Sequence, residues 1–243
     1  MTPLNKYTIA AHIFTLSNAL AGIIGIIIAV NYPETLPFVP LQLIILGAIF
    51  DFLDGFMAKR APTTSTFGVY ADSVSDVLTF AILPGIMILQ TNVIGTNEQG
   101  IFGLTPLFIA GFYTISGWIR LIRFATNPTS IYYEGLPSPA AALLIGTSAT
   151  LATLQEAAWL FAEDGLILSL LTIMTGFLMI EIVHYPSPKR GQLSDTILIM
   201  FAGLVVISYV FFPNILTLSM ILFISLLYTI FGSIYLYSTK KSK

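Results

Sequence analysis

Residues 51–76 read DFLDGFMAKRAPTTSTFGVYADSVSD and hold four of the six aspartates in the 243-residue chain. These four are Asp51, Asp54, Asp72 and Asp76. They lie on two segments that are otherwise apolar enough to cross a membrane, where a carboxylate is rarely found without a partner or a function. Four carboxylates repel one another, whereas a hard divalent cation prefers oxygen ligands. The stretch therefore predicts a cation site inside a membrane protein.

The composition indicates an integral membrane protein. Hydrophobic residues make up 56% of the chain and charged residues 9%, and the mean hydropathy is +0.89. Soluble domains carry about 25% charged residues. The net charge of −2 does not indicate a nucleic-acid partner, and the absence of cysteine excludes disulfides and thiolate catalysis.

Apolar stretches long enough to span a bilayer, roughly 20 residues each, recur along the chain. The predicted fold is an all-α integral membrane protein with a bundle of about eight transmembrane helices. The predicted spans are residues 9–30, 38–59, 68–90, 104–125, 139–160, 165–183, 193–212 and 214–237. A six-helix alternative omits the last pair, which only Pro213 and Asn214 separate.

The basic residues predict the orientation of these helices. If the helices alternate, all ten lysines and arginines fall on one side: Lys6, Lys59, Arg60, Arg120, Arg123, Lys189, Arg190, Lys240, Lys241 and Lys243. The charged residues in the opposite loops are all acidic: Glu34, Glu98, Glu163 and Asp164. Because cytoplasmic loops are enriched in basic residues, we expect a multi-pass cell-membrane protein whose two termini and aspartate site are cytoplasmic.

Helical spacing predicts that the four aspartates share one pocket. Asp54 lies three positions after Asp51, and Asp76 lies four positions after Asp72, so each pair lies on one helix face. Both pairs would lie roughly 8–12 Å below the cytoplasmic interface. A structural ion-pair network is disfavoured because few bases are nearby. A cation-coupled transporter is the alternative of another class, although such sites lie nearer the midplane and between repeats.

The spacing D-x2-D-G-x2-A-K-x8-G-x3-D-x3-D resembles the signature of the CDP-alcohol phosphotransferase family. This family comprises integral membrane enzymes that make phospholipids from CDP-linked lipids. The matching positions are Asp51, Asp54, Gly55, Ala58, Gly68, Asp72 and Asp76. Lys59 departs from the family pattern, which has arginine there, and so keeps the charge but loses bidentate geometry towards phosphate.

Further segments resemble the serine-using branch of that family, the phosphatidylserine synthases. They are LSNALAG at residues 16–22, SDVLTFAILPG at 75–85, WIRLIRF at 118–124, EGLPSPAAA at 134–142 and LMIEIVHYPSPK at 178–189. The resemblance covers about residues 14–190, and the last two predicted helices lie outside it. We therefore expect one transmembrane domain over residues 1–243, with a six-helix catalytic core at 1–190 and a C-terminal helix pair at 191–243. Ester-linked and ether-linked lipid substrates both fit this resemblance.

The resemblance also implies a reaction. A CDP-diradylglycerol would donate its phosphatidyl-type group to the hydroxyl of L-serine, giving a phosphatidylserine-type lipid and CMP. Mg2+ or Mn2+ would be the cofactor, and the enzyme would be a homodimer without a nucleic-acid partner. The alternative acceptors are inositol phosphate, glycerol phosphate and an amino alcohol.

The resemblance assigns roles to individual residues. Asp76 would be the catalytic base and, with the other three aspartates, a metal ligand. The residues expected to bind the CDP-lipid are Asp51, Asp54, Gly55, Ala58, Lys59, Gly68 and Asp72. For Arg120 and Arg123 two interpretations stay open. They would either be ordinary cytoplasmic anchors, or bind the serine carboxylate or a lipid phosphate, since a guanidinium matches both groups.

Overall fold

The computed structural model describes residues 5–61, 66–91, 102–126, 132–154, 165–186 and 203–241. The described helices are α1 (Lys6–Asn31), α2 (Val39–Ala58), α3 (Thr66–Asp76), α4 (Leu83–Leu89), α5 (Thr105–Thr126), α6 (Ser138–Thr153), α7 (Leu166–Ile180), α8 (203–211) and α9 (Ile215–Lys241). A π-helical segment, Val77–Ile82, joins α3 to α4, and a 3-10 turn, Phe102–Leu104, precedes α5. Two short strands, β1 (Tyr132–Glu134) and β2 (His184–Pro186), pair antiparallel, with Tyr133 opposite Tyr185.

The prediction of an all-α membrane protein is confirmed. Within the described residues, four helical segments are long and apolar enough to cross a membrane: Lys6–Asn31, Val39–Ala58, Gly68–Leu89 and Thr105–Phe124. They correspond to the first four predicted spans. Shorter apolar helices cover Ser138–Thr153, Leu166–Ile180 and Ile215–Phe231. Part of the seventh predicted span, residues 193–202, lies outside the described residues, so the count of eight stays a prediction.

Two helices are shorter than predicted. The span expected at 139–160 leaves the helical conformation at Leu154, whose backbone is extended, and residues 155–160 lie outside the described part. The hydroxyl of Thr153 donates to the carbonyl of Thr150, a local bond that competes with continuation of the helix. The span expected at 165–183 ends at Ile180, because the chain turns there into β2.

Small residues allow α1 to pack closely against its neighbours. Its buried face carries Ala21, Gly22, Gly25 and Ala29, and α2, α3 and the π-helical segment lie against it. A Cβ atom on Gly22 would come within 2.6 Å of the Thr79 hydroxyl. Side chains without bulk permit such backbone approach between membrane helices. The first helix is therefore held directly against the segment that follows Asp76.

The π-helical segment Val77–Ile82 begins immediately after Asp76 and has an identifiable cause. Pro84 has no backbone N–H, so the carbonyl of Phe80 loses the donor that an α-helix would supply four residues later. The hydroxyl of the fully buried Tyr113 donates to this carbonyl at 3.1 Å. π-helical turns within α-helices occur frequently at functional sites. This turn determines the path of the chain directly beyond the last aspartate.

The described part of the C-terminal helices packs on the preceding helices. The Tyr209 hydroxyl of α8 donates to the carbonyl of Phe38 at 3.3 Å, just before α2. The buried Tyr185 hydroxyl of β2 donates to the carbonyl of Thr229 in α9 at 3.2 Å. These bonds join the end of the chain to its predicted core. The division into a core at 1–190 and a helix pair at 191–243 stays a prediction.

Candidate active site

Three of the four aspartates converge on one point. Carboxylate oxygens of Asp51 from α2 and of Asp72 and Asp76 from α3 lie within 4.8 Å of one another. Oxygen donors of this kind are the ligands that Mg2+ and related divalent cations prefer. One oxygen of Asp72 is buried and has no hydrogen-bond partner among the described residues. An unsatisfied carboxylate oxygen within a cluster of carboxylates fits a cation ligand, so these residues could hold a metal ion.

Asp54 lies beside this triad, on the side of α1. It is 5% exposed and accepts a hydrogen bond of 2.9 Å from the Thr15 hydroxyl. The charge of Asp72 also acts on Asp54. All four aspartates are thus brought together, but Asp54 does not belong to the group whose oxygens lie within 4.8 Å. The hydroxyl from α1 occupies part of its hydrogen-bonding capacity.

The cluster carries an excess of negative charge. Each of Asp51, Asp54 and Asp76 experiences the charge of Asp72, and Asp76 also experiences that of the other two. Among the described residues, Arg120 is the cationic side chain that acts on the cluster, through Asp51. One guanidinium cannot balance four carboxylates at low dielectric. This imbalance favours a bound divalent cation over a closed ion-pair network.

The surroundings of Arg120 connect three helices. The side chain comes from α5, is 6% exposed, and donates from Nη1 to the Ser138 hydroxyl at the start of α6. Its charge acts on Asp51 of α2. Arg120 is therefore a buried cation that is near enough to Asp51 for its charge to act on the aspartate cluster.

Arg123 has different partners, although it lies one helical turn further along α5. Its Nη1 donates to the carbonyl of Ile180 at 2.6 Å, and its Nη2 donates to the carbonyl of Glu134 at 2.9 Å. The first carbonyl is the end of α7, where the backbone has no helical donors left. A cation at a helix C-terminus also interacts favourably with the helix dipole. Arg123 thus caps α7 and attaches β1 to it.

The EGLPSPAAA segment forms a fixed turn rather than a simple helix break. Gly135 has a φ of +74°, a conformation that favours glycine. Its N–H donates to the carbonyl of Val183 at 2.7 Å, and the N–H of Leu136 donates to the carbonyl of Leu178 at 2.8 Å. These bonds attach the turn to the end of α7. The turn places Ser138 beside the buried arginine of α5.

The residues predicted to bind CDP-lipid besides the aspartates are Gly55, Ala58, Lys59 and Gly68. Among the described residues, nothing lies within 4 Å of a Cβ atom placed on Gly55, so close packing between the described helices does not explain this glycine. Lys59 is exposed at the end of α2, and the neighbouring Arg60 lies 3.6 Å from the centre of the Phe56 ring. Ala58 and Gly68 are partly exposed. The described helices therefore leave space beside Gly55, one residue after Asp54.

Sequence reasoning missed two polar residues on α1. Thr15 donates to Asp54, and the side-chain amide of Asn18 donates to Oδ1 of Asp76 at 2.9 Å. Both are buried on a helix that is otherwise largely apolar. That contrast is the signal in the sequence, and Asn18 also lies within the LSNALAG match.

The chain matches a known protein family. The model of the CDP-alcohol phosphatidyltransferase family matches residues 8–171, which include all four aspartates and both arginines. The match covers more than half of the chain. The chain therefore belongs to this family of membrane transferases.

Relatives within the family are similar over most of their length. A CDP-diacylglycerol–serine O-phosphatidyltransferase of Helicobacter pylori is 30% identical over 240 residues, covering 96% of this chain and 94% of that protein. A protein of the same name from Methanocaldococcus jannaschii is 30% identical over 186 residues, covering 76% and 78%. The archaetidylserine synthase of Methanothermobacter thermautotrophicus is 25% identical over 177 residues, covering 72% and 68%. The chain is thus an enzyme similar to these transferases.

Proposed function

We propose that this enzyme transfers the phosphatidyl-type group of a CDP-diradylglycerol to the hydroxyl of L-serine and releases CMP. The observation that carries the proposal is the convergence of Asp51, Asp72 and Asp76 within 4.8 Å on apolar helices. Serine as acceptor is supported by the names of the relatives, which are CDP-diacylglycerol–serine O-phosphatidyltransferases and an archaetidylserine synthase. The basic residues support a cytoplasmic site with both termini on the same side. The homodimer stays a prediction.

The aspartates would hold one or two divalent cations, Mg2+ or Mn2+. A cation bound there would neutralise negative charge on the pyrophosphate and on the departing CMP. Asp51, Asp72 and Asp76 supply the converging oxygens, and Asp54 would complete the set from the side of α1. The space that the described residues leave at Gly55 would admit the cytidine diphosphate next to the helix backbone. Lys59, exposed at the helix end, offers a positive charge to it.

Asp76 is proposed as the general base. It would accept the proton of the serine hydroxyl while the serine oxygen forms a bond to the lipid-linked phosphorus and the bond from that phosphorus to CMP breaks. Its position supports this role, since it lies at the end of α3 among the other carboxylates. The hydrogen bond from Asn18 occupies Oδ1. The second oxygen is the one proposed to accept the proton.

Arg120 is proposed to bind the serine carboxylate. Serine carries a carboxylate and an ammonium group, and a buried site must provide a partner for each charge. Arg120 is buried, donates to the Ser138 hydroxyl, and acts through its charge on Asp51. Arg123, by contrast, donates to two backbone carbonyls at the end of α7 and in β1. The sequence alone did not distinguish the two arginines. Their hydrogen-bond partners in the structure favour Arg120 as the residue that binds the serine carboxylate.

We expect purified protein to release CMP from CDP-diacylglycerol or CDP-archaeol when L-serine is supplied. In parallel reactions, inositol phosphate, glycerol phosphate and ethanolamine should yield less than about a tenth of that rate, because a site that pairs a carboxylate discriminates strongly against acceptors lacking it. Labelled acceptors and chromatography of the lipid products give the measurement. Product formed from one of the other alcohols but not from L-serine would refute the serine assignment and leave the family reaction in place.

A second prediction concerns Arg120. Arg120→Lys should raise the KM for L-serine by about tenfold or more, because lysine keeps the charge but lacks the planar fork that binds a carboxylate through two hydrogen bonds. The KM for CDP-lipid should change by less than about threefold, since only the acceptor loses a bidentate partner. Initial rates with each substrate varied in turn provide both constants.

Arg123→Lys is the matched control, on the same helix with the same change. It should lower thermal stability, because the capping bonds to two carbonyls are weakened, while the serine KM stays near that of the wild type. Equal changes in the two KM values of Arg120→Lys would indicate a lipid-phosphate contact instead. A selective rise in the serine KM for Arg123→Lys would show that Arg123, and not Arg120, contacts the acceptor.

A further inference from the structure

We propose that Asn18 of α1 is a positioning residue for Asp76. Its side-chain amide holds one carboxylate oxygen of Asp76, so that the other oxygen faces the acceptor hydroxyl. The proposal rests on the proposed function, since it assigns Asp76 the role of base. It adds a residue from the first helix to a site whose sequence signature lies entirely on α2 and α3.

The hydrogen bond from Asn18 has a defined direction. The amide nitrogen lies 2.9 Å from Oδ1 of Asp76 and 3.3 Å from the Ser75 hydroxyl, and the side chain is 0% exposed. A carboxylate can only accept hydrogen bonds, so the amide NH2, and not the amide oxygen, must face Asp76. Water does not compete for this bond in a fully buried position. The orientation of the Asp76 carboxylate is therefore coupled to α1.

The backbone of Asn18 is held in place by the chain that carries Asp76. The hydroxyl of Thr79, in the π-helical segment, donates to the carbonyl of Asn18 at 3.0 Å. Gly22 allows the same segment to approach one turn further along α1. Asn18 is thus joined at its side chain to Asp76 and at its backbone to a residue three positions beyond it. Two attachments restrict both the distance and the rotation between α1 and Asp76.

The amide oxygen of Asn18 shows that packing alone does not explain this residue. This oxygen is buried and has no hydrogen-bond partner among the described residues. It faces α2, where a Cβ atom on Gly47 would come within 2.7 Å of it. A buried polar atom without a partner costs free energy, and a leucine of similar size would avoid that cost. The amide is therefore best explained by the hydrogen bond that it donates.

The test compares Asn18→Leu and Asn18→Asp with wild-type enzyme in the presence of the cation. Leucine removes the donor at similar size, and aspartate keeps the shape but offers no N–H. We expect kcat to fall by about 30- to 100-fold in both variants, as for a misplaced catalytic group, with KM values for L-serine and CDP-lipid within about threefold of wild type. If Asn18 served packing alone, its variants would lose thermal stability, and kcat would not fall selectively while the KM values stay unchanged.

The matched control is Asn31→Leu on the same helix. Asn31 is exposed and its amide donates only to the carbonyl of Ile27 among the described partners, so kcat should not change. Folded Asn18 variants with kcat within about threefold of wild type would overturn the proposal. If both Asn18 variants fail to fold while Asn31→Leu folds, Asn18 serves the fold and the proposal is also overturned.

Failure of the proposed function would give a different result. If the wild-type enzyme releases no CMP with L-serine, the proposed acceptor is rejected. The Asn18 variants would then be assayed with the alcohol that the enzyme does use.

Discussion

Serine-dependent CMP release should fall by about 1,000-fold or more when excess EDTA removes divalent cations, since a metal ion supplies several kcal/mol of charge stabilisation. Asp51→Asn and Asp72→Asn should cause losses of the same order at saturating Mg2+. Asparagine keeps the shape and one oxygen but removes the negative charge that the cluster needs to hold a cation. Asp54→Asn should also be severely impaired, although the Thr15 hydroxyl can still donate to the amide oxygen that replaces a carboxylate oxygen.

The measurement is the initial rate of CMP release before and after chelation, followed by addition of Mg2+ or Mn2+. Activity should return with at least one of these ions. Glu34→Gln is a matched control, because Glu34 is an exposed acidic residue in the turn between α1 and α2. Its rate should equal that of the wild type. Robust CMP release in excess EDTA would falsify the proposed metal site.

Asp76→Asn is expected to reduce kcat by about 100- to 10,000-fold, the contribution typical of a general base. Its affinity for CDP-lipid should stay within about tenfold of wild type, because a base acts chiefly in the transition state. The substituted side chain keeps its place, since the Asn18 amide can donate to the oxygen of Asn as it does to Oδ1 of Asp76. The effect on turnover should therefore be separable from the effect on binding.

Turnover and CDP-lipid affinity of the Asp76 variant are measured on the same preparation. Ser73→Ala is the control, because Ser73 lies on the same helix and its hydroxyl bonds only to the carbonyl of Val69 among the described residues. It should bind and turn over normally. A variant of Asp76 that binds no CDP-lipid would assign this residue to binding, and one that turns over normally would exclude it as the base.

The pairing of the aspartates was predictable because it depends on local geometry. Spacings of three and four residues place side chains on one face of any α-helix. The short connection between the second and third helices then brings the two faces to the same end of the bundle. The structure agrees, since oxygens of Asp51, Asp72 and Asp76 lie within 4.8 Å. The helices themselves followed from the length of the apolar stretches, which the bilayer sets.

The roles of the two arginines were not predictable in the same way. Arg120 and Arg123 lie one turn apart on α5, and both suit a carboxylate or a phosphate. Their partners, the Ser138 hydroxyl and the carbonyl of Ile180, are 18 and 57 residues away in sequence. No local pattern reports such contacts. The early end of α7 escaped prediction for a related reason, because the chain there turns into a strand whose partner lies about 50 residues earlier.

By itself, the sequence determined the membrane environment, the acidic cluster and the family, since each depends on composition or on short, regular spacing. The tertiary structure decided which polar side chains complete the cluster. Thr15 and Asn18 lie on α1, far from the signature, and reach Asp54 and Asp76 only because small residues let the helices approach closely. In an apolar bundle, a buried polar side chain that bonds beyond its own helix must find that partner on another helix. The packing of the helices, and not the order of the residues along them, selects that partner.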